Sequence, residues 1–179
     1  NAVMAGCKPE YLPVVLAAVE AALDPKFAMH GVLCTTHFVG PILVVNGPIA
    51  KRIGMNSGVN ALGQGNRANS TIGRALQLVI RNVGGGRPGE IDRATMGNPG
   101  KVGLCFAEDE SNPIWKPLAQ ERGIESGKSA VTIYAGEGQM GNFDQASREP
   151  ESLTRSLGMS IRAIGHPKRA PGHDVLIVM

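Results

Sequence analysis

Apolar positions recur near the start of the chain at three- and four-residue steps, through Leu12, Val15, Leu16, Val19 and Leu23. That is the spacing of one face of a helix. It predicts an amphipathic helix over residues 10–23, with Pro9 in a first turn where no N–H bond is lost and Asp24-Pro25 as the stop. A second such face, Ile72, Leu76, Val79, Ile80 and Val83, predicts a helix over 68–83 that ends at Gly84-Gly85-Gly86. Short apolar, β-branched runs bounded by Gly and Pro read as strands at 31–36, 42–45, 102–107, 131–135 and 175–178. Residues 2–5 read as the end of another strand. Shorter helices are expected at 48–53, 113–121 and 151–164. Strands alternating with helices predict an α/β fold: a layered, mostly parallel sheet with helices on both faces and Gly-rich loops at strand ends. The whole chain, 1–179, reads as one domain without repeats, heptads or low-complexity segments.

Composition narrows the class. The chain carries 24 glycines and only 4% aromatic residues, which calls for many tight turns and close backbone approaches. Its 18 basic and 15 acidic residues leave a net charge of +3, scattered rather than striped. Tracking a phosphate backbone needs a clustered positive face, so nucleic acid is not the expected partner. The apolar stretch 12–23 falls short of the roughly 18 residues a membrane helix needs, and no secretory leader pattern is present. Three dispersed cysteines (Cys7, Cys34, Cys105) form no disulfide framework, so a reducing, cytoplasmic compartment is expected. Apolar runs at both ends read as strands cut by the chain boundary, so a fragment, or one subunit of a homo- or hetero-oligomer, is expected.

Three constellations carry candidate chemistry. In Gly6-Cys7-Lys8-Pro9-Glu10 a thiol stands at the expected strand-to-helix turn, beside Lys8 and the positive end of a helix. Cys7 is therefore a candidate nucleophile, and a space-filling buried thiol is the alternative. Glu10 in the same turn, and His37 at an expected strand end, are candidate acid–base partners. The loop from Asn56, NSGVNALGQGNRANS, offers glycines for backbone approach and amides for directed hydrogen bonds. Asn56, Ser57, Asn60, Arg67, Asn69, Ser70, Thr71 and Arg74 there are candidate anion ligands, with Ser70 or Thr71 capping the next helix. It is neither a Walker A loop nor a dinucleotide fingerprint, and a nucleotide- or cofactor-binding module, suggested by glycines at a helix start but lacking an acidic residue placed for ribose, is a lesser alternative to an enzyme or a non-catalytic partner subunit. In GGGRPGEID, Arg87 is a further candidate for the anion, or else part of a turn network with Glu90, Asp92 and Arg93. Glu108, Asp109 and Glu110 follow an expected strand, either as a cation- or ammonium-binding group or as a solvated acidic turn. Cys7, Cys34 and Cys105 as ligands of a metal or iron–sulfur cluster are a minor alternative, because no local spacing supports them. No cofactor is assigned.

The segments NAVMAGCKPEYLPVVLAAVEA, HGVLCTTHF, VVNGPIAKRIGMNSGVNALGQGNRANSTIGRAL and NVGGGRPGEIDRATMGNPGK resemble a bacterial family. This is the domain that accompanies UGSC-motif (seleno)protein regions, named for a selenocysteine/cysteine-Gly-Ser-Cys motif. The resemblance covers roughly residues 1–109. It implies a redox or reductive-lyase setting in which a selenol or thiolate attacks an activated carbon. This chain contains no Gly-Ser-Cys motif, so the resemblance implies that the nucleophile of that motif lies in a preceding region or a partner subunit.

Overall fold

The computed structural model describes residues 1–112, 114–165 and 175–178. The chain divides into two compact units, Asn1–Gly138 and Gln139–Met179. The first contains a three-stranded mixed sheet in the order β2-β1-β3, so the fold is mixed α/β. Strand β1 (Gly40–Asn46) is the centre, and all seven of its residues are buried. It runs parallel to β2 (Leu104–Ala107), with Ile42 opposite Leu104 and Val45 opposite Ala107. On its other side it runs antiparallel to β3 (Ala130–Gly136), with Gly40 opposite Gly136 and Asn46 opposite Ala130. The parallel arrangement expected from the sequence thus holds for one pair, while β3 returns in the opposite sense.

Why β1 forms is plain from Ile42-Leu43-Val44-Val45: a continuous apolar run suits a strand covered on both faces. Leu43 and Val45 point into a core shared with Cys105 and Ala107 of β2. That core is closed by Val14, Val15, Ala18 and Ala22 of α2 (Leu12–Leu23) and by Ile72, Ala75, Leu76 and Ile80 of α5 (Arg67–Asn82). Both helices are the ones the periodicity predicts. A single 3₁₀ turn, Pro9–Tyr11, leads into α2, as Pro9 suggests. Between β1 and α5 lie α4 (Pro48–Arg52) and the glycine-rich loop, also as expected.

Two expected strands are helices. Residues 2–5 form α1 (Ala2–Ala5), which ends on Gly6 in the left-handed region at φ 89°. The Gly6 and Cys7 N–H groups close that end on the carbonyls of Val3 and Ala2. Four apolar residues carry no periodicity that tells strand from helix, and here the glycine acts as a helix C-cap. Residues 31–36 give way to α3 (Met29–Cys34), where Val32 and Leu33 are buried side by side. Val32 and Leu33 are the only strand-like pair in it, and without a neighbouring strand they pack as a helical turn. The helix expected over 113–121 is confined to α6 (Leu118–Glu121); Pro117 biases the residue before it away from helix, and Pro113 lies outside the described residues.

In the second unit, α7 (Pro150–Ile164) forms as expected. Before it, Asp144 accepts from the N–H of Ala146 and from the N–H and hydroxyl of Ser147. Those bonds hold its carboxyl well below the usual carboxylate range. Residues 175–178 carry no strand. His166 and His173 lie outside the described residues.

Helix α5 meets β2 through glycine on both sides. A Cβ at Gly73 would sit 2.8 Å from the Leu104 nitrogen, and one at Gly103 would overlap the backbone of Gly73 and Arg74. Gly73→Ala is expected to destabilise the first unit by about 1–3 kcal/mol through overpacking. Gly158→Ala, in open space on α7, should instead stabilise by about 0.5–1 kcal/mol. Urea unfolding of the two variants should move the midpoints in opposite directions.

Candidate functional site

The amides of the glycine-rich loop fold the loop itself. Asn66, not Ser70 or Thr71, caps α5, accepting from the Asn69 N–H at 3.0 Å while its own amide donates to the Gly54 carbonyl at 2.8 Å. The helix begins one turn earlier than Ser70 or Thr71 as a cap would require, and asparagine is among the strongest caps. Asn69 is 3% exposed. It accepts from the Asn56 N–H and donates to the carbonyls of Asn56 and Ala61, clamping the loop on the helix. Asn56 turns the chain through the Gly58 N–H and the Val59 carbonyl, and Asn60 donates to the Gln64 carbonyl. Ser57 is exposed.

Against this clamp lies a cavity of about 420 Å³ lined by Asn69, Ser70, Thr71, Arg74, Leu104 and Cys105, among others. Arg74 is half-buried, and among the described residues no carboxylate forms an ion pair with it. Close by, the half-buried Cys7 thiol donates to the Thr71 carbonyl at 3.4 Å. Arg67 donates through Nε to the Gly6 carbonyl at 2.9 Å, tying the Cys7 turn to the first turn of α5. A half-buried guanidinium beside hydroxyls suits a carboxylate or phosphate. Arg87 follows the far end of α5, beyond Gly84-Gly85-Gly86, and does not line this cavity. Among the described residues its ion-pair partner is Glu90, in an exposed contact at 4.0 Å.

The expected catalytic group is distributed. Cys7 meets Thr71, and Glu10 faces Lys8 at 4.0 Å with both side chains about half exposed. His37 Nδ1 contacts Glu137 Oε1 at 2.7 Å, beyond the end of β3. Cys34 has the partner that sequence reasoning passed over: His30 Nε2 lies 3.3 Å from its sulfur, four residues back on α3. Both are exposed. Burial pushes the Cys105 thiol strongly up, and the neighbouring Cys7 adds to this. No three His, Cys, Asp or Glu side chains converge as a metal site among the described residues.

A second polar centre forms where β1 and β2 end. Asn46, 1% exposed, donates through Nδ2 to Glu108 at 2.6 Å and to Glu110 at 2.7 Å. Glu110 also accepts from the Gly47 N–H at 2.8 Å, and Glu108 from the Leu118 N–H at 2.9 Å. Asn46 went unnoticed in the sequence, although a polar residue closing an apolar strand just before Gly-Pro is a visible signal. Gly47 must lack a side chain, because its φ is 85° and a Cβ would overlap the Lys128 carbonyl. The turn network expected around Arg87 forms in part, since the Arg87 carbonyl accepts from the N–H groups of Glu90 and Asp92, while the Asp92 carboxylate pairs with Lys101 at 2.7 Å, with side chains 13% and 12% exposed.

The chain matches no protein-family model, no curated protein and no solved structure.

Two outcomes follow from this geometry. Iodoacetamide at neutral and mildly alkaline pH should label Cys34 first, Cys7 more slowly and Cys105 only after unfolding, as read by peptide mass spectrometry. Early labelling of Cys105 would contradict its burial. Lys101→Met should cost about 3 kcal/mol in urea unfolding, because it strands the Asp92 carboxylate in the interior.

Proposed function

We propose that the chain is a domain or subunit of a thiol- or selenol-linked redox or lyase enzyme acting on a small anionic substrate. The observation that carries the reading is Arg74, half-buried at a cavity of about 420 Å³ and without a carboxylate partner among the described residues. A guanidinium in that position is poised to take a carboxylate or phosphate, with Ser70 and Thr71 beside it. Cys7, tied to the same helix turn through Thr71, is the thiol assigned to the chemistry. The redox or lyase class rests on the resemblance to the UGSC-associated domain, in which the primary nucleophile stands on another region or chain. His37 and Glu10 are assigned supporting roles only if the substrate or a partner bridges them to Cys7.

A second reading, a non-catalytic subunit that completes a partner's site, is favoured by one feature. Helix α2 is apolar on its outer side as well, with Leu12 46%, Leu16 58% and Leu23 75% exposed. A helix apolar all round is normally covered, so we assign the chain to a homo- or hetero-oligomer. Extension of the sheet at the free edge of β2 would give the layered, mostly parallel architecture that the sequence suggests. Three free cysteines favour a reducing, cytoplasmic setting. No helix among the described residues is long and apolar enough to cross a membrane.

The test is anion binding by the full chain. Titration with inorganic phosphate and with small dicarboxylates should raise the melting temperature and slow alkylation of Cys7. Arg74→Gln should abolish both effects, while Arg87→Gln should leave them intact. Equal protection in both variants would sink the reading.

A further inference from the structure

Helix α5 gathers two thiols that lie far apart in the sequence. The Cys7 thiol donates to the Thr71 carbonyl at 3.4 Å. The turn that carries it is pinned twice: the Cys7 N–H donates to the Ala2 carbonyl at 3.0 Å, and the Gly6 carbonyl accepts from Arg67 at 2.9 Å. From the sheet side, Leu104 packs so close to Gly73 that a Cβ there would sit 2.8 Å from the Leu104 nitrogen. Cys105 is the next residue, and its side chain belongs to the core that Cys7 packs against. Thr71 and Gly73 lie within one turn of the helix, so a single turn brings both cysteines to the same place. That turn opens on the Arg74 cavity, which Thr71 and Cys105 both line. The sulfurs are near enough for charge on one to act on the other: burial, and then Cys7, pushes the Cys105 thiol up.

We propose that Cys7 and Cys105 form a redox-active dithiol, with Cys7 as the attacking sulfur, Cys105 as the resolving sulfur and a small disulfide as the oxidant. This rests on the reading above, in which Cys7 is the working thiol and Arg74 holds an anion. It names the substrate class as a low-molecular-weight disulfide carrying carboxylates. Burial sets the order of events. Cys105 is 3% exposed and out of reach of outside reagents, whereas Cys7 is half-buried and meets them first. Cys7, as thiolate, attacks one sulfur of the substrate. The substrate S–S bond breaks, and the leaving thiolate takes up the proton that Cys7 lost. Cys105 then gives up its proton and attacks the Cys7 sulfur of the mixed disulfide. That bond breaks, the Cys7–Cys105 bond forms, and the second thiolate leaves with the Cys105 proton. Two electrons pass from the protein to the substrate, which ends as two thiols. In the mixed disulfide Cys7 carries no charge, so burial alone still holds the Cys105 proton and the second step is eased.

The test uses the full chain carrying Cys34→Ser, which removes the exposed third thiol. It is incubated with dithiodiglycolate, a dianion, and separately with hydroxyethyl disulfide, which is neutral. Non-reducing digestion and mass spectrometry should find Cys7 and Cys105 in one disulfide-linked pair of peptides, with two thiols released per chain. With Cys105→Ala added, the reaction should stop at a lasting mixed disulfide on Cys7 and release one thiol. The dianion should close the bond about tenfold faster than the neutral reagent, and Arg74→Gln should remove that advantage. A lasting mixed disulfide on Cys7 while Cys105 is present, or no bond with either reagent, would overturn the dithiol, and this readout needs no change at either cysteine. Equal rates with the two reagents would instead sink the anion reading and the carboxylate preference with it, while the linked peptides would still establish the dithiol.

Discussion

The fold depends on one constraint: β1 is buried from end to end. A seven-residue strand with no exposed position must be paired along both edges and covered on both faces, or its backbone and side chains lose more than they gain. The parallel partner β2 and the antiparallel partner β3 meet the first requirement. Helices α2 and α5 cover the face that carries Leu43 and Val45, and Ile42 and Val44, which alternate onto the opposite face, are buried as well. Once β1 is fixed, Asn46 must end up at its carboxyl end with no water to bind, and the next residues must turn sharply. Gly47 supplies that turn. The carboxylates of Glu108 and Glu110 are brought to it because β2 runs alongside in the same direction.

The sequence made α2, β1, α4, α5, β2, β3 and α7 legible for a common reason. Each is a helical period or an apolar run set off by glycine or proline, and in α2, β1 and α5 that pattern is buried, whereas α7 has no buried residue. Residues 2–5 and 31–36 are helical against expectation because they are too short for a period to be expressed. Their fate was decided by the Gly6 cap and by the lack of a strand to pair with Val32 and Leu33. The sense of β3 was not legible at all. Connections do not announce direction in local pattern, and the helix–strand alternation that suggests a parallel sheet is met by β1 and β2 alone.

For the site, residue type was a better guide than role. The loop at Asn56 did prove special, but its amides are spent on its own carbonyls and N–H groups. Asn69, apparently a ligand, is instead the clamp that seats the loop on α5. What survives as binding chemistry is the next turn of the helix, Ser70, Thr71 and Arg74, which the clamp holds against β2. Thiol chemistry was divided in a way spacing alone does not reveal. Cys7 is bonded to a carbonyl, Cys105 is sealed in the core, and Cys34 sits in the open against His30 because residues 29–34 are helical. As a strand, 31–36 would have left Cys34 and His30 without the four-residue helical spacing that pairs them.

The two polar centres occupy opposite ends of β2, and that separation bears on how the protein works. The Arg74 cavity gathers at Val102, Gly103 and Leu104, where the strand begins. The Asn46 cluster gathers at Glu108, just past its end. Four residues of strand at about 3.3 Å each put these ends about 13 Å apart, too far for one small molecule to engage both directly. In the function proposed above, the anion and the thiol belong to the cavity end of β2. The Asn46 cluster, at the other end, has no nucleophile within its described hydrogen-bond network. The close contact of Gly73 with Gly103 seats α5 on the start of β2, so the placing of the Arg74 cavity against the strand is set by backbone packing rather than by side chains.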